Sequence, residues 1–350
     1  MTPWIETGVA LMAGPPEALR QAALQGPASP TAHAALVAQI PALQAVEQAS
    51  APEAASPGQR LTLAAWNAER CKYLAPSAAL IAATGADVVL LSEMDLGMAR
   101  SGNCHTTREL AAALGHGHVF ATEFVELDLG DDREKLWHAG ARNRDGLHGN
   151  AILSRFPLRR AARIALDDGA VWFRPGSPQG QRRIGGRCAV AALLDLPDGP
   201  VALVSLHLES HSDVADRAAQ IARVIEATDR HYGRLPAVIA GDLNTAMLPR
   251  DADATDPTQP WFVDPAPFEP LFAVAAAAGY AWRAANTPAP TCRTRPDGMP
   301  RPPFARIDWM LVRGLAATAP CVWPAVDATG SAISDHELLT LEIQADGTPP

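Results

Sequence analysis

Eight polar residues in this sequence have types and positions suited to metal binding and acid–base chemistry. Most follow the apolar end of a predicted strand, and side chains at strand ends can meet at one rim of a sheet. Their carboxylate and amide oxygens are hard ligands that suit Mg²⁺ or Mn²⁺, whereas zinc prefers thiolates and imidazoles. Their two histidines can transfer protons. The eight residues are Asn67, Glu93, His207, Asp242, Asn244, Asp308, Asp335 and His336.

Each of these residues also has a structural explanation when it is considered alone. The tripeptide Ser334-Asp335-His336 is typical of a turn or a helix cap, and Asn244 is typical of a turn. It is their joint placement at successive strand ends that favours one shared site. Cys104-His105 could be half of a second metal site, but no matching pair follows, so we expect a turn there.

The elements that must position these residues alternate between strands and helices from Leu61 onward. Many short strands with few, widely spaced helices predict an α/β (α+β) fold in which helices cover two packed sheets. The predicted helices cover residues 74–84, 106–114, 213–229 and 270–278, and the predicted strands cover 61–66, 87–91, 119–125, 151–154, 188–194, 201–206, 237–240, 307–312 and 338–343.

Residues 1–58 differ in composition from the rest of the chain. They are rich in Ala, Gln and Pro, carry helix-like apolar spacing over 36–46, and end in a linker-like stretch at 51–58. We therefore predict a helical or flexible N-terminal extension over 1–58 and a catalytic domain over 59–350.

The composition fits a cytoplasmic protein. The chain has 350 residues, a net charge of −9 and five scattered cysteines without a CxxC pair, which suits a reducing compartment. It shows no apolar run of transmembrane length and no basic segment typical of a signal peptide. We expect a monomer. The net charge argues against tight, non-specific binding to duplex nucleic acid.

Seven short motifs occur in an order that resembles one known superfamily. The motifs are Trp66-Asn67-Ala68-Glu69, Leu91-Ser92-Glu93, Gly149-Asn150-Ala151-Ile152-Leu153-Ser154-Arg155, Ser205-Leu206-His207-Leu208, Gly241-Asp242-Leu243-Asn244, Arg306-Ile307-Asp308-Trp309 and Ser334-Asp335-His336. With these motifs the chain is similar, over residues 60–345, to the endonuclease/exonuclease/phosphatase superfamily, the deoxyribonuclease I-like metal-dependent phosphodiesterases.

This resemblance implies a four-layer α/β/β/α sandwich with one pocket at the rim of both sheets. It implies that Glu93 is the principal metal carboxylate and that Asn67 and Asp335 complete the metal shell. It also implies that Asp308 orients the imidazole of His336. Asp242 and His336 are both candidates for the general base.

The same resemblance implies that Asn244 positions the phosphate or the nucleophile. His207 stands where abasic-site endonucleases of the superfamily carry tyrosine. It is similar instead to the deoxyribonuclease and sphingomyelinase branches.

The expected substrate is a phosphate ester, with nucleic acid as the leading candidate and a nuclease as the leading subclass. A hydrolase of sphingomyelin-type or inositol-phosphate headgroups is the alternative enzyme, and a non-catalytic binding protein on the same fold is the alternative of another class. Ten arginines and three aspartates over 142–187 could form a basic patch, or could be ordinary surface residues. We expect the aromatic pairs Trp172-Phe173 and Trp261-Phe262 to be buried.

Overall fold

The computed structural model describes residues 4–53, 55–166, 171–250, 255–294 and 300–345. Its helices are α1 (Glu17–Gln25), α2 (Pro30–Gln39), α3 (Leu74–Thr84), α4 (Thr106–Leu114), α5 (Asp132–Trp137), α6 (Val214–Tyr232), α7 (Pro260–Val263) and α8 (Leu271–Ala277). Its strands are β1 (Trp4–Ile5), β2 (Gly8–Val9), β3 (Val46–Ala49), β4 (Arg60–Arg70), β5 (Val88–Leu96), β6 (Gly117–Glu126), β7 (Leu147–Ser154), β8 (Leu158–Ala165), β9 (Arg183–Gly185), β10 (Cys188–Leu196), β11 (Gly199–His207), β12 (Ala237–Asp242), β13 (Cys292–Thr294), β14 (Pro300–Ala305), β15 (Asp308–Arg313), β16 (Leu315–Trp323) and β17 (Leu338–Ala345).

The long strands form two mixed sheets. One has six strands in the order β1-β8-β10-β11-β12-β15, and the other has nine, in the order β16-β17-β4-β5-β7-β6-β3-β2 with β9 beside β6. Strands β13 and β14 form a separate two-stranded ribbon. Helices cover the outer faces of both sheets, which confirms the predicted α/β/β/α sandwich.

Three apolar layers hold the sandwich together. Alternate residues of β4 show the principle, because Leu61 and Leu63 face the other sheet while Trp66 faces the outer helices. The layer between the sheets contains Val190, Leu203 and other side chains from both of them. Separate layers join α3 and α4 to the nine-stranded sheet and α6 and α8 to the six-stranded sheet.

The N-terminal residues contribute strands to both sheets. β1 pairs with β8 of the smaller sheet, and β3 pairs antiparallel with β6 of the larger one. The predicted helical spacing over 36–46 ends early, since α2 stops at Gln39 and Val46 begins β3. The predicted boundary at residue 58 stays a prediction.

The predicted helices agree with the structure to within three residues at each end, and every predicted strand is present. The structure also contains strands that the sequence pattern did not indicate, among them β8 and β16. Trp172, Phe173, Trp261 and Phe262 are buried, as expected. Among the described residues, no helix is both long enough and apolar enough to cross a bilayer.

Candidate active site

Three of the predicted site residues are neighbours at one edge of the six-stranded sheet. β11 and β12 run parallel and end level with each other, at His207 and Asp242. β15 runs antiparallel to β12 and begins at Asp308, which is opposite Asp242. The strand register alone therefore brings His207, Asp242 and Asp308 side by side.

Gly241 permits this close arrangement of strands. Its φ angle is 142°, and a Cβ atom at this position would lie 2.0 Å from the carbonyl oxygen of Leu206 on β11. Any other residue would push the two strands apart next to Asp242. The glycine in Gly241-Asp242-Leu243-Asn244 is thus a requirement of backbone packing.

His336 is held by Asp308 on one side of its ring. His336 Nδ1 lies 2.9 Å from Asp308 Oδ2 and 3.1 Å from Asp308 Oδ1. Backbone contacts fix the same residue, because Trp66 Nε1 donates to the His336 carbonyl at 2.9 Å and the His336 amide donates to Ser334 Oγ at 3.1 Å. The second ring nitrogen, Nε2, is left facing Asn67 and Asp242.

Asp242 Oδ2 is the point where three side chains meet. Asn67 Nδ2 donates to it at 3.2 Å, His207 Nε2 lies 3.3 Å away, and His336 Nε2 lies 3.8 Å away. Burial, together with the neighbouring Asp308 carboxylate, raises the pKa of Asp242 to about 7. A carboxylate with a pKa near neutrality is matched to proton transfer at physiological pH.

The two histidines have opposite electrostatic environments. Burial lowers the pKa of His336, but the Asp308 carboxylate and other nearby anions outweigh burial, so the net pKa is well above the usual value. Burial and the nearby Arg187 guanidinium hold the pKa of His207 well below its usual value. These opposite pKa shifts favour the charged form of His336 and the neutral form of His207.

Glu93 comes from a bulge in the nine-stranded sheet. The β4–β5 register shifts between Asn67 and Arg70, and the β5–β7 register shifts between Leu91 and Met94. Glu93 lies inside the second shift with a φ of 57°. Its Oε1 is 3.8 Å from His207 Nδ1, and its Oε2 accepts a hydrogen bond from Arg70. Burial raises the pKa of Glu93, but Arg70 and His207 outweigh it, so the pKa is well below the usual range.

Asp335 and Asn244 line a cavity of about 550 Å³ beside these groups. The Asp335 amide donates to Glu69 Oε2 at 3.2 Å, while Lys72 Nζ lies 2.7 Å from Glu69 Oε1. The Asn244 amide donates to Asp242 Oδ1 at 2.9 Å, and its side-chain Nδ2 donates to the Leu208 carbonyl at 2.9 Å. All eight predicted residues are therefore gathered at or beside one cavity.

A hard divalent cation fits the groups at this end of the cavity. Burial and the nearby Glu93 carboxylate raise the pKa of Asp335. Such a shift is expected where two acids lie close together with too little positive charge beside them, and a bound cation would supply that charge. His207 Nδ1 is buried without a hydrogen-bond partner among the described residues, beside Glu93 Oε1. Glu93, Asn67 and Asp335 supply the oxygen donors that Mg²⁺ or Mn²⁺ prefers.

Another set of ligand-type atoms at the site does not include Glu93, Asn67 or Asp335. Asp242, Asp308 and His336 place such atoms within 4.8 Å of one another. However, Asp308 and His336 are hydrogen-bonded to each other, which occupies His336 Nδ1. This hydrogen bond leaves His336 Nδ1 unavailable to a cation.

None of the described arginines of 142–187 lines the cavity. These arginines mostly pair within the protein, for example Arg155 with Asp87 and Arg183 with Glu126, and Asp167 and Asp168 lie outside the described residues. The arginines that line the cavity are instead Arg133, Arg250 and Arg293.

Several residues at the site were missed by sequence reasoning. Thr291 Oγ1 accepts from the Asp308 amide at 3.1 Å, and Arg70 contacts Glu93. Arg70 follows Asn67 by three residues, but an arginine carries little signal in a chain with twenty-seven of them. Thr291 lies in a loop with no recognisable motif.

Comparisons with known proteins identify the family of this chain. A sequence profile described as the Endonuclease/Exonuclease/phosphatase family matches residues 64–336, and the chain belongs to this family. Membership makes it a hydrolase of the phosphodiesterase or phosphatase type. A comparison with curated proteins gave no significant match.

Solved structures of low sequence identity share the fold. An endonuclease/exonuclease/phosphatase from Beutenbergia cavernae is 22% identical, with 83% of this chain and 73% of that chain covered and a TM-score of 0.55. A Bacteroides vulgatus endonuclease/exonuclease/phosphatase is 14% identical, covering 82% and 99% with a TM-score of 0.54. A family protein from Leptotrichia buccalis is 13% identical, covering 81% and 99% with a TM-score of 0.52.

Proposed function

We propose that this chain is a nuclease-type phosphodiesterase that depends on Mg²⁺ or Mn²⁺. The observation that carries the proposal is the meeting of Asn67, His207 and His336 around Asp242 Oδ2, beside a cavity lined by Asp335. Such a constellation can hold a phosphate, activate water and protonate a leaving oxygen within one site.

Glu93, Asn67 and Asp335 are the residues that would hold the cation. When bound, the cation supplies positive charge to the non-bridging oxygens of the phosphate. Glu93 is suited to this task because Arg70 takes only its Oε2 and leaves Oε1 toward His207 and the site.

Asp242 and His336 divide the remaining work. Because His336 Nδ1 is bound to Asp308, the Nε2–H of a protonated ring can donate to a phosphate oxygen. Asp242, whose carboxyl group has a pKa of about 7, is the group placed to accept a proton from the attacking water. His207 Nε2 can donate a hydrogen bond to the leaving oxygen. The backbone amide of Asn244 keeps the Asp242 carboxylate oriented.

The cavity walls favour a polyanionic substrate such as nucleic acid. Arg133, Arg250 and Arg293 line the cavity and can contact phosphates that flank the one being cleaved. A second candidate is a phospholipid or inositol-phosphate headgroup hydrolase. Leu136 and Trp137, which are 78% and 58% exposed, favour it because they extend from the helix whose first residues line the cavity.

The proposal is tested with bis-p-nitrophenyl phosphate and p-nitrophenyl phosphate, each assayed with Mg²⁺ and with excess EDTA. We expect diester cleavage that exceeds monoester cleavage and disappears in EDTA. Full activity in EDTA would contradict metal dependence. A panel of plasmid DNA, RNA, sphingomyelin and inositol phosphates then separates the two candidates, since only nuclease activity should degrade the first two.

A further inference from the structure

Arg70 joins two largely buried carboxylates that come from different parts of the fold. Its Nη1 donates to Glu93 Oε2, and its Nε lies 3.2 Å from Glu134 Oε1. The three side chains are only 14%, 15% and 7% exposed, in the order Arg70, Glu93 and Glu134. At this burial an ion pair is screened little by solvent, so the guanidinium attracts both carboxylates, by a hydrogen bond to Glu93 and by charge alone at Glu134.

An unusual backbone directs Arg70 toward Glu93. Glu69, Arg70 and Cys71 have φ angles of 45°, 68° and 50°, a left-handed run without glycine at the register shift of β4. A left-handed conformation is unfavourable for each of these residues and persists only where the surroundings hold it. The strand thus gives up regular pairing at the point where Arg70 reaches Glu93.

Glu134 connects this ion pair to a wall of the cavity. It caps α5 through a reciprocal pair of hydrogen bonds with Asp131, and its Oε2 also accepts from Arg100 at 2.9 Å. Asp131 and Arg133, at the start of the same helix, line the cavity. Arg70 therefore lies between the carboxylate proposed to bind the cation and the helix that shapes the cavity.

We propose that Arg70 is a positioning residue for the metal site. It immobilises Glu93 Oε2, so that Oε1 faces His207 and the site, and it fixes the location of Glu93 relative to α5 through Glu134. The inference rests on the proposed function, because it assumes that Glu93 binds the cation. Arg70 is not among the eight site residues that were predicted from the sequence.

The test is Mn²⁺ binding, measured by electron paramagnetic resonance on the full chain, together with the Mg²⁺ dependence of diester hydrolysis. We expect Arg70→Gln to weaken Mn²⁺ binding at least about tenfold, because freeing Glu93 removes the preorganisation of a ligand. High Mg²⁺ should restore much of the lost rate. Glu134→Gln, which keeps the Arg70–Glu93 contact, should show a smaller loss.

Arg313→Gln is the matched control. Arg313 is also a largely buried arginine paired with a carboxylate, with its Nη1 3.1 Å from Asp229 Oδ2. It ends β15 five residues after Asp308, about 17 Å along the strand. This variant should lose stability and keep wild-type Mn²⁺ affinity.

The outcomes separate this inference from the proposed function. Unchanged or tighter Mn²⁺ binding in folded Arg70→Gln would overturn the positioning role, even if wild-type hydrolysis is metal dependent. Wild-type hydrolysis that persists in EDTA would instead overturn the proposed function. If Arg70→Gln does not fold, Arg70→Lys decides the question, because its point charge cannot bridge both carboxylates. Wild-type Mn²⁺ affinity in that variant would overturn the inference.

Discussion

Among the described residues, two buried sets of carboxylate and histidine side chains place ligand-type atoms within 4.8 Å of one another, and they differ in how tightly their polar atoms are hydrogen-bonded. In one cluster, Glu47 Oε1 accepts hydrogen bonds from His105 at 2.9 Å, His118 at 3.0 Å and Arg108 at 2.7 Å, while Oε2 accepts from the Met12 amide. We call this the Glu47 cluster. The other is the active-site set of Asp242, Asp308 and His336.

The Glu47 cluster has the composition of a metal site but the hydrogen bonding of a structural anchor. Its ligand-type atoms also lie within 4.8 Å of one another. However, His105 Nδ1 accepts from the Arg108 amide at the start of α4, which places the ring proton on Nε2, toward Glu47. A nitrogen that carries a proton cannot bind a metal.

Around Asp242 in the active-site set the polar contacts are longer: Asn67 Nδ2 donates to Asp242 Oδ2 at 3.2 Å and lies 3.5 Å from His336 Nε2. His336 Nε2 and Asp242 Oδ2 are 3.8 Å apart, too far for a hydrogen bond, and Asp335 beside them lines the cavity. Residue type alone therefore does not distinguish a structural cluster from a functional one. The separation comes from the length of the polar contacts and from the open space beside them.

The largest expected effect is on catalysis at the active-site set. Asp242→Asn should lower diester hydrolysis by about 1,000-fold, the range for loss of a general base, while the fold is retained. The measurement is the initial rate on bis-p-nitrophenyl phosphate at saturating Mg²⁺. Asp198→Asn, in the exposed β10–β11 turn at the far end of β11, is the control and should match wild type. An unchanged rate in Asp242→Asn would remove Asp242 from the mechanism.

The second effect is on stability at the Glu47 cluster. Glu47→Gln should lower the free energy of unfolding by about 2 kcal/mol, because buried donors lose their anionic acceptor. Urea unfolding measures the change, and Glu226→Gln on the exposed side of α6 serves as the control. The rate of diester hydrolysis should stay within about threefold of wild type. A thousandfold loss of rate would mean that the cluster is catalytic.

The third effect is a pH dependence of the same cluster. Burial raises the pKa of Glu47, but hydrogen bonds from His105, from His118 and from the Met12 amide outweigh burial and hold the pKa well below the usual 4.5. An acid with a lowered folded pKa contributes stability above its unfolded pKa and loses it as pH falls through the folded value.

The stability difference between wild type and Glu47→Gln should therefore shrink as pH falls from about 5 to about 3. Urea unfolding at both pH values provides the measurement. A difference that is constant over this interval would show that the ionisation of Glu47 is not what stabilises the cluster.

The smallest effect sharpens the distinction between anchor and metal site. Excess EDTA should change the melting temperatures of wild type and His118→Gln by the same amount, within about 2 °C. The reason is that Glu47 is already saturated with hydrogen-bond donors. A chelator-induced drop in wild type that is absent in His118→Gln would show that the Glu47 cluster binds a metal.

Much of the fold was accessible from sequence because its elements have regular apolar patterns. Helices α3 and α4 were predicted with the observed bounds, and the strands with clear apolar runs were all recognised. β8 and β16 were missed because most residues of β8's first half and of β16 are not buried, so neither strand carries a continuous apolar run. Val46 matched a helical spacing but belongs to a strand, because pairing of β3 with β6 overrides the local pattern.

The candidate site was accessible for a different reason. His207, Asp242 and Asp308 lie in short motifs at strand ends, so that strand register brings them together without any long loop. Contacts between distant segments of the chain have no such motif in the sequence. The Glu47 cluster joins β3, the start of α4 and β6, and the sequence alone indicated only a turn at Cys104-His105. Arg70 was not predicted either, because its proposed role depends on a β-bulge that no residue pattern indicated.

The most direct test of the central claim compares two histidine variants in one assay. His336→Gln and His118→Gln each remove a buried imidazole that contacts a carboxylate, one from the active-site set and one from the Glu47 cluster. With bis-p-nitrophenyl phosphate and saturating Mg²⁺, we predict a loss of about 100-fold or more for His336→Gln and at most about threefold for His118→Gln. Equal losses in the two variants would contradict the assignment of catalysis to the active-site set.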